Sequence, residues 1–142
     1  MGDLQTCIPD SETVELLNDR HAINELIERV LELAVGNGLK DAAIFAVRLA
    51  IEEAITNAFV HGHQNIGVDV PVLVEFKVSK GEIQIAIEDQ GPGFTPDSIP
   101  DPTLIENLSK PFGRGVMLMK AYMTEVLYNP QGNRVKMRYI TP

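Results

Sequence analysis

Apolar residues recur at three- and four-residue spacing up to about residue 61 of this chain and at every second position from residue 72. Two kinds of element, helices first and strands after, must therefore share one core. Ile23, Leu26, Ile27, Val30, Leu31 and Ala34 fall at i, i+3, i+4, i+7, i+8 and i+11, which is one helical stripe. That helix is expected from after Pro9 to about Ala34, with Gly36-Asn37-Gly38 as its stop. A second is expected from about Lys40 to His61 on a stripe of Ile44, Val47, Ile51, Ile55 and Ala58. A short strand is expected within residues 1–8. From residue 72 on, Val72, Val74, Phe76 and Val78 alternate with other residues, as do Ile83, Ile85 and Ile87. Ser79-Lys80-Gly81-Glu82 lies between the two runs, so they form a hairpin. Residues 94–112 carry four prolines and no period. A loop of that length in a compact domain commonly serves as a lid. A short helix from about Gly115 to Met123 and a closing hairpin, turning at Asn129–Asn133, complete the pattern. The expected fold class is α+β: a two-layer sandwich with helices on one face of an antiparallel or mixed sheet.

At 142 residues the chain is read as a single domain, 1–142. Its net charge of -8 excludes an extended nucleic-acid surface, which needs clustered Lys and Arg. It does not exclude one nucleotide, for which backbone amides, a metal ion and two or three bases suffice. No apolar run approaches the ~18–20 residues that span a bilayer, so no membrane contact is expected. The start MGDLQTCIPD lacks the basic and then apolar regions of a signal peptide. A single cysteine, Cys7, cannot form an internal disulfide. The expected location is the cytoplasm.

Three stretches depart from plain core-and-surface patterning. In EEAITNAFVHGH, Glu53, Asn57 and His61 succeed one another at intervals of four. At about 100° per residue they share one helix flank, which borders the buried stripe. A carboxylate and an amide one turn apart can share a hard cation, or one can hold the metal while the other accepts a proton. A solvated helix face is the bland alternative. His61 and His63 have no third ligand for zinc, and His61 is expected to cap or pack the helix end. In EDQGPGF, alternation brings Asp89 onto the face of Ile83, Ile85 and Ile87. A carboxylate carried inward needs a donor, and the exocyclic amine of adenine is one. Gly91 and Gly93 let the backbone approach a ligand closely. The competing reading is an Asx-type turn in which Asp89 bonds its own backbone. In KPFGRGVML, Gly113 and Gly115 are expected to precede a helix and to present free amides to an anion, with Lys110 and Arg114 adding positive charge.

Metal, base and phosphate functions thus occur in order within about 65 residues. With these motifs the chain resembles the Bergerat-fold (GHKL) ATPase and kinase superfamily: EEAITNAFVHG is similar to its N-box, DQGPGF to its G1 box and GRGVML to its G2 box. It looks most like the small anti-sigma-factor serine/threonine kinases of the RsbW and SpoIIAB type. The resemblance implies a histidine-kinase-like ATPase domain binding ATP and Mg²⁺, with Asn57 on the metal and Glu53 as general base. Asp89 would hold the adenine amine while Gly91 and Gly93 shape the pocket. Gly113 and Gly115 would meet the phosphates beneath an ATP lid at about 95–112. Which base meets the γ-phosphate, Lys110 or Arg114, stays open, with Arg114 favoured on charge and position.

The function so implied is an ATP-dependent protein serine/threonine kinase. It would act as an anti-sigma factor in transcription regulation and phosphorylate a STAS-type anti-sigma factor antagonist. Its partners would be a sigma factor, that antagonist and a second copy of itself in a homodimer. The alternative is a non-catalytic, nucleotide-switched binding module that regulates a sigma factor or a phosphatase partner.

Overall fold

The computed structural model describes residues 6–63, 69–91 and 111–142, the last from the backbone alone at 111–114. In chain order the elements are β1 (Glu12–Leu16), α1 (Arg20–Gly36), α2 (Asp41–Thr56) and a π-helical segment (Asn57–Gly62). They continue with β2 (Val72–Ser79), β3 (Glu82–Glu88), α3 (Pro111–Tyr122), β4 (Glu125–Tyr128) and β5 (Arg134–Ile140). The strands form one sheet in the order β1-β2-β3-β5-β4, every neighbouring pair antiparallel. Of the two sheet types the sequence left open, the antiparallel one is observed.

Alternation determines which face is buried. Val74 lies opposite Ile87, Phe76 opposite Ile85, and Ile85 in turn opposite Met137. These side chains are at most 2% exposed and form one apolar surface. α1 covers it with the six residues expected from the sequence, Ile23 to Ala34, all buried. On the opposite face, Arg134 bonds Glu75 at 2.9 Å and donates to the Thr6 carbonyl at 2.8 Å, which ties the N-terminal segment to the sheet.

Five expectations require correction. The first strand is residues 12–16, not a piece of residues 1–8; residues 6–8 form no strand, and 1–5 lie outside the described residues. α1 accordingly starts at Arg20 rather than just after Pro9. Asp19 caps it by accepting from the Ala22 N–H at 3.1 Å. An edge strand is too short to show a period, and its register with β2, not its own sequence, defines it. The buried stripe of α2 is wider than the branched residues alone: Ala43, Ala46, Ala50 and Ala54 are buried, while Ile44 is only partly so. These small side chains let α2 lie close to the sheet and to α3. Regular α winding also ends at Thr56, and the last turn to Gly62 is π-helical, with His63 N–H donating to Ala58 O at 2.9 Å. Finally, α3 begins at Pro111, not near Gly115, as proline suits a first helical position.

The expected turns are present. Gly81 closes the β2–β3 hairpin at φ 73°, a conformation that suits glycine. Its N–H donates to Asn37 O and its carbonyl accepts from Thr141 N–H, so three chain segments meet at this tip. Ile85 sits at the centre of the core, unexposed between Phe76 and Met137. Ile85→Ala is expected to lower unfolding free energy by about 2–5 kcal/mol, measured by urea denaturation, without loss of the folded baseline.

Candidate functional site

The end of β3 meets the π-helical segment at a backbone crossing that admits no side chain. A Cβ at Gly62 would overlap the Asp89 carboxylate, and one at Gly91 would overlap the Gly62 carbonyl oxygen. The glycines thus bring the helix end and the strand end into direct contact. Asp89 is held there from several directions. Its N–H donates to Asn133 O at 2.8 Å, its carbonyl accepts from the Asn133 side-chain amide at 3.2 Å, and its carboxylate accepts from Gly91 N–H at 2.8 Å. The last contact is the Asx-type turn that competed with ligand binding in the sequence. The two readings coexist, because Asp89 also lines a cavity.

That cavity encloses about 250 Å³ between the end of α2, the π-helical segment, β3, α3 and the β4–β5 hairpin. Asn57, His61, Asp89, Tyr128 and Asn133 supply polar groups, and Ala54, Ala58, Ile87, Met119 and Val135 supply apolar wall. A mostly apolar cleft with a few convergent polar groups is the usual form of a small-molecule site. Burial raises the pKa of Asp89 from its ordinary value, against the lowering effect of the Gly91 hydrogen bond. Burial likewise raises that of the Tyr128 hydroxyl.

Glu53 and Asn57 occupy the α3 side of the site. A Cβ at Gly115 would lie 2.9 Å from Glu53 Oε2 and 3.2–3.3 Å from the Asn57 amide, so the missing side chain lets α3 pack over both. The Asn57 side-chain nitrogen is buried with no hydrogen-bond partner among the described residues. A buried amide left unpaired costs roughly 1–3 kcal/mol, a cost that a bound ligand would remove. The adjacent Glu52 points elsewhere and pairs with Arg20 at 2.8 Å. Two carboxylates adjacent in sequence are thus separated by helical rotation, one toward α1 and one toward α3.

The sequence expectations fare unevenly here. Glu53 and Asn57 do share a flank with Gly115, and Asn57 and Asp89 share the cavity. His61, expected to cap or pack the helix end, is exposed at the cavity. His61 lines the same cavity as Asn57, although the turn that joins them is π-helical rather than α-helical. Gly113 and Gly115 do not precede α3 but lie inside it. Gly113 falls in the first turn, where N–H groups have no helical acceptor, whereas the Gly115 N–H faces the carbonyl of Pro111 one turn earlier. Gly93, Lys110 and the lid residues 95–110 lie outside the described residues, as does the Arg114 side chain. Sequence reasoning missed Gly62, His63, Tyr128 and Asn133. The one available signal was a glycine persisting within a helical pattern, which often marks close backbone approach.

The crossing also makes a contrast between two helical glycines. Gly62→Ala is expected to destabilise the protein by about 1–3 kcal/mol in urea denaturation, since the new methyl displaces Asp89. At Gly36 a Cβ meets nothing within 4 Å, and Gly36→Ala is expected to leave stability unchanged or raise it by a few tenths to about 1 kcal/mol.

Comparison with known proteins gives this geometry its context. Two anti-sigma F factors of Clostridium botulinum, from strains Eklund 17B (Type B) and Alaska E43 (Type E3), are each 31% identical to this chain over 99 residues. The aligned part is 65% of this chain and 67% of each relative. Among solved structures, that of the RsbU and RsbW domains of a Mycobacterium tuberculosis protein superposes with a TM-score of 0.56 at 15% identity. The match covers 92% of this chain and 31% of that one, and at such identity it speaks for the fold alone. The sequence pattern of the histidine kinase-like ATPase domain matches residues 17–139, from before α1 into β5. That span contains every residue of the cavity, and the chain belongs to the histidine kinase-like ATPase domain family.

Proposed function

We propose that this protein is an ATP-dependent serine/threonine kinase that acts as an anti-sigma factor and phosphorylates a STAS-type antagonist of that activity. Three things support the reading: the family, the names of the two Clostridium botulinum relatives, and the joining of Asn57 and Asp89 in one cavity. The observation that carries most weight is the buried Asn57 amide without a partner, lying beside Glu53 and beneath Gly115. A phosphate with its cation would satisfy such a group, since an amide offers both an oxygen ligand and an N–H donor.

In this reading Asp89 accepts from the adenine amine, and the apolar wall beside it receives the ring. Asn57 holds the Mg²⁺ and orients the phosphates with the first turn of α3, where the Gly113 N–H lacks a helical acceptor. Gly115 keeps α3 close to this group, and Lys110 or Arg114 adds positive charge at the phosphate end. ATP with Mg²⁺ supplies the transferable phosphoryl group and neutralises its negative charge. Glu53 takes the proton released by the partner's hydroxyl as that oxygen bonds to phosphorus and ADP departs. Glu52 is engaged with Arg20 and leaves the role to Glu53. The partners are a sigma factor, the antagonist and a second copy of this chain. The proposed location is the cytoplasm, and no described helix is long and apolar enough to cross a membrane.

Incubation with labelled ATP and a cognate antagonist tests this directly. Label is expected on serine or threonine, and its absence across several cognate partners would leave a nucleotide-switched binding module. Glu53→Gln is expected to keep ATP affinity in calorimetry while transfer falls by about 10²–10⁴-fold. A variant with unchanged transfer rate would remove Glu53 from the base role. The raised pKa of Asp89 has opposite consequences for stability and for binding. The folded protein holds this proton more tightly than the unfolded chain, so its contribution to stability is present at low pH and is lost as pH rises through the folded pKa. Adenine needs the ionised carboxylate, so ATP affinity falls as pH drops through the same interval. Asp89→Asn abolishes both dependences, which calorimetry and urea denaturation across pH can follow.

A further inference from the structure

His63 is a buried titratable side chain that the mechanism above does not use; it is 8% exposed. Its Nε2 accepts a hydrogen bond from the Gln90 N–H at 2.8 Å. The donor is a backbone amide, so Nε2 serves as the acceptor nitrogen of the ring in this contact. Phe59 meets the ring edge-on at 5.7 Å between centroids and fixes its plane. Gln90 lies between Asp89, which lines the cavity, and Gly91, whose N–H holds the Asp89 carboxylate. His63 itself follows Gly62, the residue against which that carboxylate packs. One side chain from the helix end therefore anchors the middle peptide of the turn that aims Asp89.

We infer that His63 is a positioning residue for base recognition: by holding the Gln90 amide it sets the orientation of the Asp89 carboxylate, and so discrimination for a purine bearing an exocyclic amine. The inference rests on the proposed nucleotide reading of the cavity and names a specificity determinant within it. His63 touches no part of the nucleotide in this scheme. It acts through the β3-end turn, whose other side is held by Asn133. Without the acceptor the Gln90 N–H loses its protein partner, and the turn is free to rotate the carboxylate away from the amine. Phosphate and metal contacts, which come from Asn57 and α3, are unaffected by that rotation.

The test compares two nucleotides with identical phosphates, ATP and inosine triphosphate, the second lacking the amine. Calorimetry with Mg²⁺ gives the ratio of their affinities for the wild-type protein, His63→Phe and His63→Gln. Phenylalanine keeps a ring against Phe59 and deletes the acceptor, whereas glutamine restores one at a similar reach. In His63→Phe the ATP preference is expected to shrink about fivefold to tenfold, the scale of one hydrogen bond, with inosine triphosphate affinity retained. In His63→Gln the preference is expected to stay near the wild-type ratio. Should His63→Phe not fold, His63→Met takes its place, since it is apolar and adaptable with only a weak acceptor. Equal losses for both nucleotides, no change in either, or a glutamine variant as impaired as phenylalanine would overturn the inference. A wild-type protein that binds neither nucleotide would instead overturn the reading of the cavity itself.

Discussion

The contact between Gly62 and the Asp89–Gly91 turn is the constraint on which the site depends. Two backbones approach so closely that neither glycine position tolerates a Cβ, and the carboxylate of Asp89 rests against the helix end. Without that crossing the π-helical segment and the end of β3 would stand further apart, and Asn57 and Asp89 would not line one cavity. The widened turn at residues 57–62 allows it, because an extra residue per turn redirects the chain without breaking the helix. Single π turns of this sort commonly accompany functional sites.

The rest of the fold holds this crossing in place. A sheet with one apolar face fixes the heights of β3 and β5, and so of Asp89 and Asn133 at their adjacent ends. α2 holds Glu53, and Asn57 at its end, at a set depth because its small residues, Ala43, Ala46, Ala50 and Ala54, let it sink toward the sheet and α3. Larger side chains there would lift the polar pair away from the cavity. The β4–β5 turn adds its own anchor: Asn129 Oδ1 accepts from the N–H groups of Gly132, Asn133 and Arg134. Its side-chain nitrogen donates to Asn133, which in turn donates to Asp89. Recognition and scaffold are therefore one hydrogen-bonded unit on this side.

Charge is distributed with comparable economy. The chain is strongly acidic, yet its described arginines pair with acids between elements, such as Arg29 with Glu12, Arg48 with Glu28 and Arg20 with Glu52. Exposed pairs of this kind add little stability each. The Arg20–Glu52 pair matters for another reason. It separates the chemistry of two neighbouring carboxylates by giving one of them a structural partner, while Glu53 lies beside Asn57 and Gly115.

Periodicity determined the α+β class, the six core residues of α1 and the inward direction of Asp89, and with the turn residues between runs it determined both hairpins, because each follows from local geometry. The order of Glu53, Asn57, Asp89 and the glycines was legible for the same reason: spacing along a helix or strand fixes which side chains share a face. Strand β1 was not legible, since five residues show no period and only pairing with β2 makes them a strand. Neither was the start of α3 at Pro111, nor the π turn, nor the roles of Gly62, His63 and Asn133. These last depend on contacts between residues 27 or more positions apart, such as His63 with Gln90 and Asp89 with Asn133. Local patterning carries no record of such distances. They are decided when the helix end and the strand end close upon each other, because only then does a missing Cβ or a ring nitrogen acquire a neighbour.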